Sequence, residues 1–317
     1  MIPIVILAAG EGKRLGPVGE LCRKVLLPVG DRSLLARHLD IFSAIGARRF
    51  ILVVDPAADE VVAEARRVLG RCGASPEVVA QPRRLGIGHA ALQALPWLRG
   101  GPFVLVLGDT YYAPRNLAAA AEAIETGKFD AILSVRRVED ESLILKECTI
   151  EQDDRGLVRR IVEKPSRVLS PLKPCGVYFF GPRLLEALRD TPPSALRGEI
   201  EITDAIQRLI DRGGRVGVKE TLTEDINITF PADILAANLA WLKERKSRGF
   251  IAPSAAVGES VSVEDSVVSA GARVGDKASL LRTVVFPGGQ VPAGAALADA
   301  LVLAGLDRVD ARGIARP

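Results

Sequence analysis

From Ile251 onward an aliphatic side chain recurs after six, six and then five residues: Ile251, Val257, Val263, then Val268, Val274, Leu280, then Val285, Val291, Leu297, then Val302. Ile251, Val268, Val285 and Val302 therefore stand 17 residues apart, as do Val257, Val274 and Val291. A residue every six positions puts one aliphatic side chain per prism face into a narrow interior. Small residues at Ser254-Ala255, Gly271-Ala272 and Gly288-Gly289 would turn the corners. Residues 250–317 are thus expected to form three rungs of a triangular parallel β-helix. An irregular Ala- and Gly-rich tail would not keep this count.

Upstream the rhythm is different. Apolar runs at Ile2–Ala8, Phe50–Val54, Pro76–Ala80 and Phe103–Leu107 alternate with helical spacing at Ser33–Ile45, Asp59–Leu69 and Ala90–Leu98. Such alternation predicts an α/β fold, a doubly wound, mixed but mostly parallel sheet. Thr149–Gln152 and Leu157–Val162 flank an Asp-Asp-Arg-Gly turn and read as an inserted β-hairpin. Strand Val177–Phe180 and helices at 183–188, 203–211 and 231–246 complete a first domain over residues 1–246, with Lys243–Gly249 as connector.

Composition narrows the function. Charged residues make up 26% of the chain but the net charge is only +3, with both signs scattered, and aromatics are 4%. No basic stripe or stacking platform points to nucleic acid. No apolar run reaches the roughly 18 residues of a membrane span, and Met1-Ile2-Pro3-Ile4 lacks the basic start of a signal peptide, so a cytoplasmic protein without a membrane partner is expected. Cys22, Cys72, Cys148 and Cys175 have no CxxC spacing and read as thiols, mostly buried.

The chemistry-bearing residues begin where the first strand ends. Leu7-Ala8-Ala9-Gly10-Glu11-Gly12-Lys13-Arg14 is a small-residue loop of the kind that lets backbone approach phosphate, yet it matches neither the P-loop nor GxGxxG. By itself it is as readily a plain tight turn. Lys24 follows in Lys24-Val25-Leu26-Leu27-Pro28-Val29. Together with Leu107-Gly108-Asp109, Glu163-Lys164-Pro165 and Cys175-Gly176-Val177-Tyr178, these segments resemble the nucleoside-diphosphate-sugar pyrophosphorylases, or sugar-1-phosphate nucleotidylyltransferases. The resemblance covers nearly the whole chain and implies a Rossmann-like nucleotidyltransferase domain followed by a short left-handed hexapeptide β-helix.

It also implies roles. Joining two anions requires positive charge around the α-phosphate. The resemblance gives the triphosphate to Leu7, Ala8, Ala9, Gly10, Gly12 and Lys13, the leaving pyrophosphate to Arg14, and the α-phosphate and sugar phosphate to Lys24. Asp109, at the carboxyl end of an apolar strand, would hold Mg²⁺ as a hard oxygen ligand, with Asn227 as second ligand and Asp225 as fallback. A helix-capping role is the structural alternative for Asp109. Gln81 would read a pyrimidine base, with Gly86 and Gly88 letting the ring approach, which favours UTP or dTTP. Glu163, Lys164 and Gly176 would bind a hexose 1-phosphate, whereas an exposed Glu163–Lys164 pair would contribute little.

Four positions depart from the family pattern: Lys13 and Ile87 replace Thr or Ser, Cys175 stands before the glycine of its strand, and Cys148 occupies a position where a glycine is usual. They leave open the base and sugar, including a GTP-using mannose-1-phosphate guanylyltransferase, or a sugar-nucleotide-binding protein without turnover, while cytidylyl transfer to a polyol phosphate is an alternative that draws on the Asp225–Asp233 segment. Acyl transfer on the β-helix is excluded by count, since the two histidines, His38 and His89, precede it. Burial of the β-helix against another subunit would make the protein a homo-oligomer.

Overall fold

Short Val- and Ile-rich runs bounded by turns pack as strands when both faces are covered, and the central strands here are almost wholly buried. The structure, a computed structural model, describes residues 2–195 and 198–311. The elements used below are β1 (Ile4–Ala8), α1 (Leu34–Ala44), β2 (Phe50–Val54), α2 (Asp59–Leu69), β3 (Glu77–Ala80), α3 (Ile87–Gln93), β4 (Phe103–Leu107), β5 (Ala131–Arg137), β6 (Cys148–Gln152), β7 (Val158–Glu163), β8 (Leu172–Phe180), α4 (Arg183–Arg189), α5 (Ile202–Asp211), β9 (Val216–Glu220) and α6 (Pro231–Glu244). The expected helix at 90–98 is divided into α3 and a short Leu95–Leu98 piece. Pro96 explains the division, because it has no N–H and its ring crowds the preceding turn.

The chain forms two compact units, one comprising the segment ending at Ala9, His38–Gly108 and Pro114–Asp225, the other Gly10–Arg37, Asp109–Ala113 and the chain from Ile226 on. In the first, seven strands pair in the order β9-β5-β8-β4-β1-β2-β3. β1 is parallel to β2 and β4, β2 to β3, and β5 to β9, while β8 runs antiparallel to both β4 and β5. The sheet is therefore mixed and mostly parallel, as the alternation predicts. Chain order moves outward from β1 to β3 and then returns to β4 on the other side of β1. Open α/β sheets bind ligands outside the carboxyl ends of strands at such a reversal. Gly108 N–H donates to the Leu7 carbonyl at 3.0 Å, keeping the two strand ends side by side. The glycine loop leaves one end and Asp109 leaves the other.

In the second unit the 17-residue spacing becomes parallel pairing: Val268 lies beside Val285 and Val285 beside Val302, and Val274 lies beside Val291. Val268, Val274, Leu280, Val285, Val291 and Val302 form a buried interior. Val267, Val284 and Leu301, one residue earlier, pack instead with Leu15, Val18, Leu27, Leu34, Ile234 and Trp241. Side chains of a strand alternate between its faces, so adjacent residues of each coil serve two cores. The glycine-loop segment, α6 and the coils share one compact unit. Among the described residues no helix is long and apolar enough to cross a membrane, and the four cysteines form no disulfide.

Candidate functional site

In the second unit Gly12 adopts φ +75°, in the left-handed region, and starts the helical turn Lys13–Leu15. A β-carbon there would lie 3.1 Å from Lys24 Cγ and 3.2 Å from Leu15 Cδ1, so the missing side chain lets the Lys24 stem cross the loop. Gly19 closes the same loop from below, where a β-carbon would stand 2.4 Å from the Gly12 carbonyl oxygen. Arg14 and Lys13 are exposed, the latter paired with Glu11 at 2.7 Å. Lys24 Nζ donates to Asp109 Oδ2 at 3.0 Å. Asp109 leads into strand Thr110–Pro114 and caps no helix. Asn227 is exposed and ends strand Leu222–Asn227, and the N–H of the next residue, Ile228, donates to the Asp109 carbonyl at 2.9 Å. That bond brings the candidate metal ligands Asp109 and Asn227 to adjacent backbone positions.

The structure draws the fallback ligand elsewhere. Asp225 is the last residue of the first unit, and its side chain is only 2% exposed. Its Oδ1 accepts from Arg136 Nε and its Oδ2 from Lys173 Nζ, each at 2.5 Å. Lys173 Nζ also donates to Glu147 Oε2 at 2.6 Å, and Arg136 pairs with Glu224 at 2.8 Å. Burial opposes the Lys173 charge, yet Asp225 and Glu147 outweigh it and hold the ammonium above its ordinary pKa. Burial pushes the Glu147 carboxyl up, partly offset by Lys173. Both oxygens of Asp225 thus accept from buried cations, which anchor the carboxylate within the first unit.

In the same unit lie Glu163, Lys164 and Gly176, the residues that the resemblance gives to the sugar. Glu163 ends β7 opposite Cys148, and Lys164 N–H donates to the Glu147 carbonyl at 2.6 Å. Lys164 holds φ +43°, a conformation costly for a non-glycine residue, of the kind that clusters at ligand sites. Gly176 is buried on β8 within a register shift between Pro174 and Tyr178. Burial pushes the thiols of Cys148 and Cys175 well up, so neither is a ready nucleophile.

Gln81 follows β3 and is buried, with Nε2 3.5 Å from the Gly86 carbonyl oxygen and 3.2 Å from His89 Nδ1. The two glycines have a use that their spacing does not reveal. A β-carbon would lie 2.6 Å from the Ile200 carbonyl oxygen at Gly86 and 2.6 Å from Ile200 Cγ2 at Gly88, so the space they leave is filled by Ile200. Gly88 N–H donates to Ile200 O at 2.8 Å.

Sequence reasoning missed three further residues. Arg84 donates from Nε to the Ala9 carbonyl at 2.9 Å and from Nη2 to Asp55 Oδ2 at 2.5 Å, pinning the end of the first strand. Asn238 is buried on α6, accepts from Gly30 N–H at 2.8 Å and donates to Pro28 O at 3.0 Å, fixing the turn after Lys24. Lys173 has no motif of its own. A polar residue on the apolar face of α6 was the one available signal, and it points to Asn238 alone.

The chain matches the nucleotidyl transferase family model over residues 4–226 and belongs to that family. It is 30% identical over 269 residues to the low-salt glycan biosynthesis nucleotidyltransferase Agl11 of Haloferax volcanii, spanning 83% of this chain and 72% of that protein. It is 34% identical over 250 residues to a glucose-1-phosphate thymidylyltransferase of Streptomyces antibioticus, spanning 77% and 67% respectively. A crystal structure of UDP-glucose pyrophosphorylase with UDP-glucose shares the fold, at TM-score 0.65 and 22% identity over 77% of this chain and all of that one.

Proposed function

We propose that the protein transfers a nucleotidyl group from an NTP, UTP or dTTP by preference, to a hexose 1-phosphate, releasing pyrophosphate and an NDP-sugar. The observation that carries the reading is the Lys24–Asp109 pair at 3.0 Å beside the glycine loop, with Asn227 at the adjacent backbone position. An oxygen of the sugar phosphate attacks the α-phosphorus as the bond from that phosphorus to the β-phosphate bridging oxygen breaks, and pyrophosphate carries away the electron pair. Arg14 neutralises charge on the departing pyrophosphate, and Lys24 holds the α-phosphate and the entering phosphate in line. In the first unit Gln81 reads the base, while Glu163 and Lys164 accept sugar hydroxyls and hold the sugar phosphate.

The donor set fits Mg²⁺. Among the described residues there is no cluster of three or more His, Cys, Asp or Glu side chains able to hold a metal. Mg²⁺ is commonly held by one or two protein oxygens plus substrate phosphates, which Asp109 and Asn227 would supply. When bound it would neutralise phosphate charge. The glycan and thymidylyl relatives named above support a sugar phosphate as acceptor. Self-association through the coils is a further part of the proposal, and light scattering tests it.

The experiment is pyrophosphate release on incubation with each NTP, a panel of hexose 1-phosphates and Mg²⁺. Release with a uracil or thymine nucleotide, and its loss in Asp109→Ala with an unchanged fold, is expected. No release with any pair, or near-parental rates in Asp109→Ala, would overturn the assignment.

A further inference from the structure

Both ring nitrogens of His89 face a carboxamide: Gln81 Nε2 lies 3.2 Å from Nδ1, and Gln93 Nε2 lies 3.2 Å from Nε2. A neutral imidazole offers one acceptor and one donor, so it can accept from only one of these amides. Burial decides which. Gln81 is 6% exposed, and placing its NH₂ against a ring N–H would strand a buried donor. Gln93 is half-buried on α3, and turning its amide to give Oε1 to the ring gives up only the long 3.3 Å bond from its Nε2 to the His89 carbonyl oxygen, next to solvent. Burial and the charge of Arg83 lower the His89 pKa, which keeps the ring neutral. Nδ1 is then the acceptor for Gln81. The second Gln81 N–H is directed to the Gly86 carbonyl oxygen at 3.5 Å. Oε1 is what the amide has left to offer a ligand.

We propose that His89 is a positioning residue that fixes the Gln81 carboxamide with Oε1 toward the base, so that uracil and thymine are accepted and cytosine is rejected. Uracil and thymine carry N–H at ring position 3 and donate to Oε1. Cytosine carries a bare acceptor nitrogen there, and two acceptors face to face repel. A carboxamide released from His89 could rotate and satisfy cytosine with its NH₂. The inference rests on the reading of Gln81 as the base contact and adds what makes that contact selective.

The test uses the full-length protein. Dissociation constants for UTP, dTTP and CTP are measured calorimetrically with Mg²⁺ for the parent, His89→Leu, which removes the acceptor, and His89→Asn, which restores an acceptor oxygen. The preference for UTP over CTP should fall about tenfold in His89→Leu, the worth of roughly one hydrogen bond. It should return in His89→Asn, and His89→Leu should have no effect on it in a Gln81→Ala background. Because the chain has two histidines, ¹⁵N-histidine NMR of the parent reads the tautomer without any variant, and the Nε2–H form is expected. An unchanged preference in His89→Leu, or the Nδ1–H form in the parent, would overturn the inference while leaving nucleotidyl transfer standing. A parent that releases no pyrophosphate with any substrate pair removes both.

Discussion

Replacing Lys173 by Met keeps the side-chain length and removes one charge from a buried network. Lys173 and Asp225 are each 2% exposed at the side chain, so the carboxylate left behind has little water to turn to. Arg136 remains on Oδ1, but Oδ2 loses the Lys173 donor. Removing one partner of a buried ion pair typically costs about 3–5 kcal/mol. Glu147, 34% exposed at the side chain, can re-solvate and should add little. For a unit of this size about 2–4 °C of melting temperature accompanies each kcal/mol, so a fall of about 6–20 °C is expected. Circular dichroism melts of the parent, Lys173→Met, Asp225→Asn and the double variant give the answer. In the Asp225→Asn background the Lys173 substitution should cost at least about 1.5 kcal/mol less, because the stranded charge is gone. A single variant melting within about 2 °C of the parent, or strictly additive effects, would refute the view of Asp225 as an anchor.

Three other outcomes follow from the site. Asn227→Ala should raise the Mg²⁺ concentration for half-maximal pyrophosphate release by about tenfold or more, reflecting loss of one oxygen ligand; an unchanged Mg²⁺ titration would remove Asn227 from the metal set. Arg14→Ala and Lys24→Ala should each lower kcat/KM by about 100- to 1,000-fold, the usual loss when a donor to transition-state charge is deleted, and parental kinetics in both would make the loop structural only. Truncation after Arg248 should lower the melting temperature and the activity together, because Val267, Val284 and Leu301 line the core that also holds Leu15 and Leu27; a truncated chain with parental activity would show that the loop stands without the coils.

Much was legible in the linear order of residues. The six-six-five spacing predicts the coils because a periodic interior demands a periodic side chain, and the paired Val268, Val285 and Val302 follow it. The strand and helix alternation predicts the parallel sheet, and motif order places the glycine loop and Asp109 at neighbouring strand ends.

Tertiary structure alone decided the partners of charge and the use of space. Asp225 joins Lys173, 52 residues away, and Arg136, 89 residues away, and no local pattern marks such pairs. A carboxylate looks the same in a sequence whether its oxygens face a metal or two cations. No spacing shows that Ile200, more than a hundred residues on, packs against the bare α-carbons of Gly86 and Gly88. The chain boundary near Gly249 marks a change of period, but adjacent residues such as Val267 and Val268 face opposite sides of one strand and so belong to different cores. Spacing fixes which face a side chain takes, whereas what lies against that face depends on contacts between segments far apart in the chain.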